Sequence, residues 1–179
     1  TIKRNDTPRP WFSPKEYQMV LDACRELRDN PPPKYQFDFG ELYDFIVFMI
    51  HTFLRPSEWK MLQNKHIRFL EQDGIEQLVI SVPNTKTVRS GGALDSTSTE
   101  VAADVYRKII LIRHDNVDDF LFLNEIKDRE YAQDRMSSMF SFVVGRANLE
   151  TDKYGQKHTT YSLRHSALCY QILKTRGKE

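Results

Sequence analysis

Three segments of the 179-residue chain place basic side chains at element boundaries, where they can reach an anion. Arg55 closes an apolar run in Thr52-Phe53-Leu54-Arg55-Pro56-Ser57-Glu58, and Lys86 sits at a turn in Asn84-Thr85-Lys86-Thr87. Arg164 and His165 lie at the start of a helical pattern in Tyr161-Ser162-Leu163-Arg164-His165-Ser166. Two arginines, a turn lysine and a histidine or tyrosine are what a metal-free phosphodiester site requires. Arginine forks pair with non-bridging oxygens and stabilise the charge added at a pentacoordinate phosphorus. A lysine on a turn can protonate the leaving oxygen as general acid. Glu58 suits support better than chemistry, bracing the helix or an arginine. Each residue also has a plainer account. Arg55 with Glu58 could be a surface ion pair, Arg164 a solvated side chain, His165 a packed or capping histidine, and Lys86 an ordinary turn lysine.

Other chemistries find no motif. The sequence has no phosphate loop, no Gly-x-Gly-x-x-Gly, no Gly-x-Ser-x-Gly and no His-Glu-x-x-His. His165 and Cys169 are one helical turn apart, but two ligands do not make a zinc centre, so no metal or other cofactor is expected. Cys24 and Cys169 fall at apolar helix positions and read as buried free thiols.

The elements that position these residues follow from pattern. Ser13-Pro14-Lys15-Glu16 is a capping-box helix start, and Tyr17, Val20, Leu21, Cys24 and Leu27 then recur on one face until Pro31. A second helix is expected from Phe39 to Phe53, apolar nearly all round and therefore central. Pro56 starts a third, short one carrying Trp59 and Leu62. Strands are expected at His66–Leu70, Glu76–Val82 and Thr87–Leu94, joined by turns at Gln72-Asp73-Gly74 and Pro83-Asn84-Thr85-Lys86. Helices resume over about 99–114, 129–148 and 160–174. The class is α+β, mainly helical with one small antiparallel sheet inserted after the third helix.

Composition bounds the rest. With 40% hydrophobic and 28% charged residues the chain reads as one globular domain. Its longest apolar run, Phe45 to Ile50, is far below the ~20 residues of a membrane span. A cytoplasmic location is expected, with no membrane partner. Net charge is +1, yet 115–135 holds seven acids against three bases, while 145–179 holds seven bases against three acids. Such a chain can turn a positive face to nucleic acid, although solvated charge runs would account for the same counts.

At the boxes around Arg55 and Arg164 and the lysine turn between them, the sequence resembles the tyrosine recombinase, or phage integrase, family. Thr52, Leu54, Arg55 and Glu58 match its first box, Thr-Gly-Leu-Arg-x-x-Glu, with Phe53 replacing the glycine. Leu163, Arg164, His165 and Ser166 match the second, His-x-Leu-Arg-His-Thr/Ser, with Tyr161 replacing the first histidine. Lys86 stands where the family's hairpin lysine is expected. The resemblance covers Ser13 onward. It implies the fold of the DNA breaking-rejoining enzymes and site-specific recombination or integration for a phage or other mobile element. It also implies double-stranded DNA as partner, a homotetramer for the full protein, and no cofactor. Arg55, Lys86, Tyr161, Arg164 and His165 would be its catalytic residues, with Glu58 supporting. The family's nucleophilic tyrosine lies several tens of residues beyond the second box, and no matching stretch occurs in this sequence. The expected organisation is therefore a linker over 1–12, arriving from an upstream core-binding domain, and a C-terminally incomplete catalytic domain over 13–179. The competing reading is a DNA-binding or regulatory module of this fold without strand transfer.

Overall fold

A computed structural model describes residues 7–83, 94–113 and 115–176. Helix α1 (Pro14–Asp29) begins as its sequence requires. The Ser13 hydroxyl accepts from the Glu16 amide, and the Glu16 carboxylate accepts from the Ser13 amide. Its buried face, Val20, Leu21, Ala23, Cys24 and Leu27, lies on α2 (Phe39–Thr52). That second helix is buried on almost every side, as an all-round apolar helix must be, and it touches α1, α4, α5 and α6.

After α2 the chain turns sharply through Phe53 into the one-turn helix α3 (Pro56–Trp59), then through a 3-10 turn (Asn64–His66) into the sheet. Strands β1 (Ile67–Gln72), β2 (Ile75–Val82) and β3 (Leu94–Thr97) are antiparallel in the order β1-β2-β3. Gln72 pairs with Ile75 across a two-residue loop in which Asp73 (φ 54°) and Gly74 (φ 75°) are both left-handed. This is the turn that an Asp-Gly pair favours, because its twist matches that of the flanking strands.

Among the described residues the third strand runs over Leu94–Thr97, past the end of the expected Thr87–Leu94, with Val79 opposite Thr97 and Val82 opposite Leu94. Its register is set from outside by β2. The Ser81 hydroxyl donates to Asp95, and just past the strand the Ser98 amide and hydroxyl close on the backbone of Leu78. Polar Asp95, Ser96 and Thr97 give no alternating signal of their own. Residues 87–93 of the expected strand, and Lys86 with most of its turn, lie outside the described residues.

Helices α4 (Glu100–Ile112), α5 (Arg129–Arg146) and α6 (Thr160–Arg176) complete the molecule. Between α4 and α5 the acidic stretch also carries core. Leu121, Phe122 and Leu123 are buried, and Phe122 packs edge-on against Phe45, Phe48 and Trp59. The segment expected as a linker likewise contributes to the core at its end. Phe12 is fully buried, stacks on His158, and is bonded through its backbone to the hydroxyls of Ser166 and Tyr170 on α6.

Candidate phosphate-binding site

Arg55 stands at the N-cap of α3, in the turn that Phe53 makes possible by taking a left-handed conformation (φ 59°, ψ 17°). That conformation suits glycine and is tolerated poorly by a residue with a Cβ. Glu58, one turn on, accepts the Arg55 amide at 2.7 Å and an Arg55 guanidinium N–H at 2.9 Å. Its side chain is 12% exposed against 40% for Arg55. The carboxylate thus braces the turn from beneath, and the arginine's remaining donors stay within reach of solvent.

Arg164 and His165 lie in the second turn of α6 and Tyr161 in the first. The Arg164 guanidinium donates to the carbonyl of Phe53, two residues before Arg55. A single hydrogen bond therefore locks the α6 basic pair against the α2–α3 turn, although 111 residues separate the partners in sequence. Among the described residues no carboxylate pairs with Arg164. The Tyr161 and His165 rings approach at 4.9 Å between centroids. The His165 imidazole is held below its ordinary pKa, first by burial and then by the nearby charges of Arg9 and Arg164. Its Nε2 is buried and has no hydrogen-bond partner among the described residues.

Arg9 is a residue that motif reading missed. Its guanidinium carbon lies 5.9 Å from the centre of the Tyr161 ring. The only sequence signal was the aromatic pair Trp11-Phe12 in an otherwise polar, proline-containing segment, which marks a place where the chain docks. Cys169 takes no part in this site, and burial pushes its thiol pKa up. Among the described residues no group of three histidines, cysteines or acids could hold a metal ion.

No family model matches the sequence, and no curated protein matches it. Solved structures do. A XerA recombinase superposes with TM-score 0.59 at 15% identity, over 96% of this chain and 52% of the other. The Tn1549 transposon integrase in complex with transposon right end DNA gives 0.58 at 19%, over 97% and 56%. A XerH site-specific recombinase bound to palindromic difH substrate, in a post-cleavage complex, gives 0.61 at 16%, over 96% and 45%. The fold is that of the tyrosine recombinase catalytic domain. The chain spans about half the length of these recombinases. Arg164 is thus bonded to the turn that leads into Arg55, the Tyr161 and His165 rings adjoin on α6, Glu58 holds Arg55, and Arg9 lies beside Tyr161. Lys86 belongs to the undescribed residues between β2 and β3.

Proposed function

We propose that this chain is catalytic-domain sequence of a DNA site-specific recombinase or integrase that works by tyrosine transesterification. The observation that carries the reading is the Arg164-to-Phe53 bond, which joins the two arginine boxes in a recombinase fold. The DNA in the complexes of the Tn1549 integrase and XerH supports double-stranded DNA as the substrate class.

In the reaction, a tyrosine oxygen attacks the scissile phosphorus and the bond to the 5′-oxygen breaks. A 3′-phosphotyrosyl ester forms, and the 5′-oxygen leaves with a proton as a hydroxyl. The 5′-hydroxyl freed in the same way on the partner strand then attacks the phosphotyrosyl phosphorus, forms the new phosphodiester and releases the tyrosine. The ester conserves bond energy, so the exchange needs no external energy source. Arg55 and Arg164 hold the non-bridging oxygens and stabilise the extra charge of the pentacoordinate state. Lys86 delivers the proton to the leaving oxygen. His165, with its uncommitted Nε2, and Tyr161 complete the phosphate shell. Tyr161 replaces a histidine and serves as a hydrogen-bonding contact, because a phenol is a poorer general base than an imidazole at neutral pH. The nucleophile is a tyrosine outside these 179 residues, and the full protein acts as a tetramer on two duplexes.

Binding of a short DNA duplex tests this. Affinity should fall steeply with salt, because phosphate neutralisation releases counterions. Arg55→Ala and Arg164→Ala should each weaken binding while the domain keeps its cooperative melt. A flat salt response, or full affinity in both variants, would rule the reading out.

A further inference from the structure

Residues 8–12 lie along the molecule as a strap, and its fixings flank Arg9 on both sides. The Pro8 carbonyl accepts from the Gln156 side chain at 2.6 Å. Beyond Arg9, the Trp11 carbonyl meets His158 Nε2 at 3.3 Å. The Phe12 amide donates to the Ser166 hydroxyl at 2.8 Å, and the Phe12 carbonyl accepts from the Tyr170 hydroxyl at 2.7 Å. Prolines at 8 and 10 restrict the backbone on either side of the arginine. An exposed arginine at the end of a free linker would wander. This one is delivered to the α6 basic cluster, over Tyr161, and its charge is felt at His165.

The strap also forms one wall of a groove of ≈ 330 Å³, lined by Arg9, Trp11, Glu16, Asp152, Lys153 and Tyr154. The two acids there are already committed. Glu16 accepts the Ser13 amide, while Asp152 accepts the amides of Tyr154 and Gln156 and the Gln156 side chain. The two cations are not: among the described residues neither Arg9 nor Lys153 pairs with a carboxylate, and Lys153 rests over the Tyr154 ring at 5.0 Å. With the acids' oxygens held by backbone and amide donors, the exposed Arg9 and Lys153 are the groove's uncommitted charged donors, the groups that bind a phosphate oxygen.

We propose that Arg9 and Lys153 form a second phosphate subsite, which seats a DNA backbone phosphate flanking the one held by Arg164 and His165. This rests on the recombinase reading and deepens it. The strap-borne arginine extends the contact from one reacting phosphate to a short track along the strand. Neighbouring phosphates fix register without reading sequence, so the subsite positions the reacting phosphate in the first one.

The test measures affinity for a short random-sequence duplex as salt rises from about 50 to about 200 mM, a range over which phosphate contacts dominate. Arg9→Gln and Lys153→Gln should each lower the slope of log affinity against log salt by about 0.9, and the double variant by about twice that. Both side chains are surface groups, so thermal melting should be unchanged. In the DNA-free protein, Arg9→Gln should also move the His165 imidazole titration upward by NMR, and Lys153→Gln should not. Unchanged slopes in the double variant of a protein that binds DNA would overturn the subsite alone. An immobile His165 titration on Arg9→Gln would overturn the placement of Arg9. A wild-type protein with no salt-dependent binding would overturn the recombinase reading, and the subsite with it.

Discussion

Phe53 carries a Cβ in a left-handed conformation, and its carbonyl is the acceptor for Arg164. Such a residue costs roughly 1–2 kcal/mol relative to a right-handed one, and the cost is borne at the joint between the two arginine boxes. Once the ring is removed, glycine should do better than alanine here. Phe53→Gly should be more stable than Phe53→Ala by about 1 kcal/mol, the reverse of their order inside a helix. Urea unfolding of the two variants decides it, and an equally stable alanine variant would show that the turn is not strained. His165 yields a pH prediction. In the free protein its pKa is depressed, by burial first and then by Arg9 and Arg164. The stability linked to it is therefore present above the unfolded-state value and is lost as pH falls through the folded one. A phosphate beside the ring acts the other way and raises the pKa, so DNA binding takes up a proton. Affinity should rise as pH drops from about 7.5 to about 6, the range in which a histidine near its ordinary pKa changes charge. His165→Asn should flatten that dependence, and a variant that kept it would point to another group. Of the candidate residues, Arg55, Arg164 and His165 can be picked out in the sequence because motif and spacing are local. Arg9 cannot, since its position depends on bonds from the strap to residues about 150 positions away.

The elements were legible where caps and periodicity agree. Helix α1 starts on its Ser13–Glu16 box, and α2 is buried on nearly all sides because its sequence is apolar on nearly all sides. Legibility failed where partners decide. Strand β3 takes its place from β2, and the 120–128 loop takes its shape from one arginine. Arg129 opens α5, where the helix dipole disfavours a cation. It is nevertheless buried, donating to the carbonyls of Lys60, Phe122, Leu123 and Ile126, with its guanidinium carbon 4.0 Å from the centre of the Phe120 ring. Burial pulls its pKa down to about 10. Five N–H donors in a planar fork reach four carbonyls, those of buried Phe122 and Leu123 among them. Arg129→Ala should therefore cost about 3 kcal/mol or more by denaturant unfolding, given roughly 1–3 kcal/mol for each buried group left unpaired. Arg129→Lys should recover little of that, because a single ammonium cannot span the fork. A loss below about 1 kcal/mol in the alanine variant would mean that the loop holds its own shape.

Across the whole molecule, the near-zero net charge conceals an arrangement of charge. Acids of 115–135 pair with Lys60 and Lys65 near the 3-10 turn, whereas Arg9, Lys153 and Arg164 have no carboxylate partner among the described residues. Phosphate binding needs only that arrangement; strand cleavage also needs a phenolic oxygen in line with the leaving 5′-oxygen at near-attack distance. The tyrosines present are otherwise engaged. Tyr17, Tyr106 and Tyr170 sit within or against the core, where burial pushes their phenol pKa values up, and Tyr170 donates to the Phe12 carbonyl. Tyr43 accepts from Arg25. Tyr35 packs on Phe37 and Phe142, and Tyr131 is exposed on α5. Tyr154 lies under Lys153 in the neighbouring groove, so its ring belongs to the flanking subsite. Only Tyr161 adjoins Arg164 and His165, and it stands where the second box of the resembled family has a histidine. These 179 residues should accordingly bind a nicked suicide duplex without forming any protein–DNA band that survives denaturant. A band abolished by Tyr161→Phe would make Tyr161 the nucleophile and reassign its role. A band abolished by Tyr154→Phe would shift the reacting phosphate into the Arg9–Lys153 groove. Because binding and cleavage call on different groups here, a protein that binds with a steep salt dependence yet forms no adduct is the outcome this arrangement of residues requires.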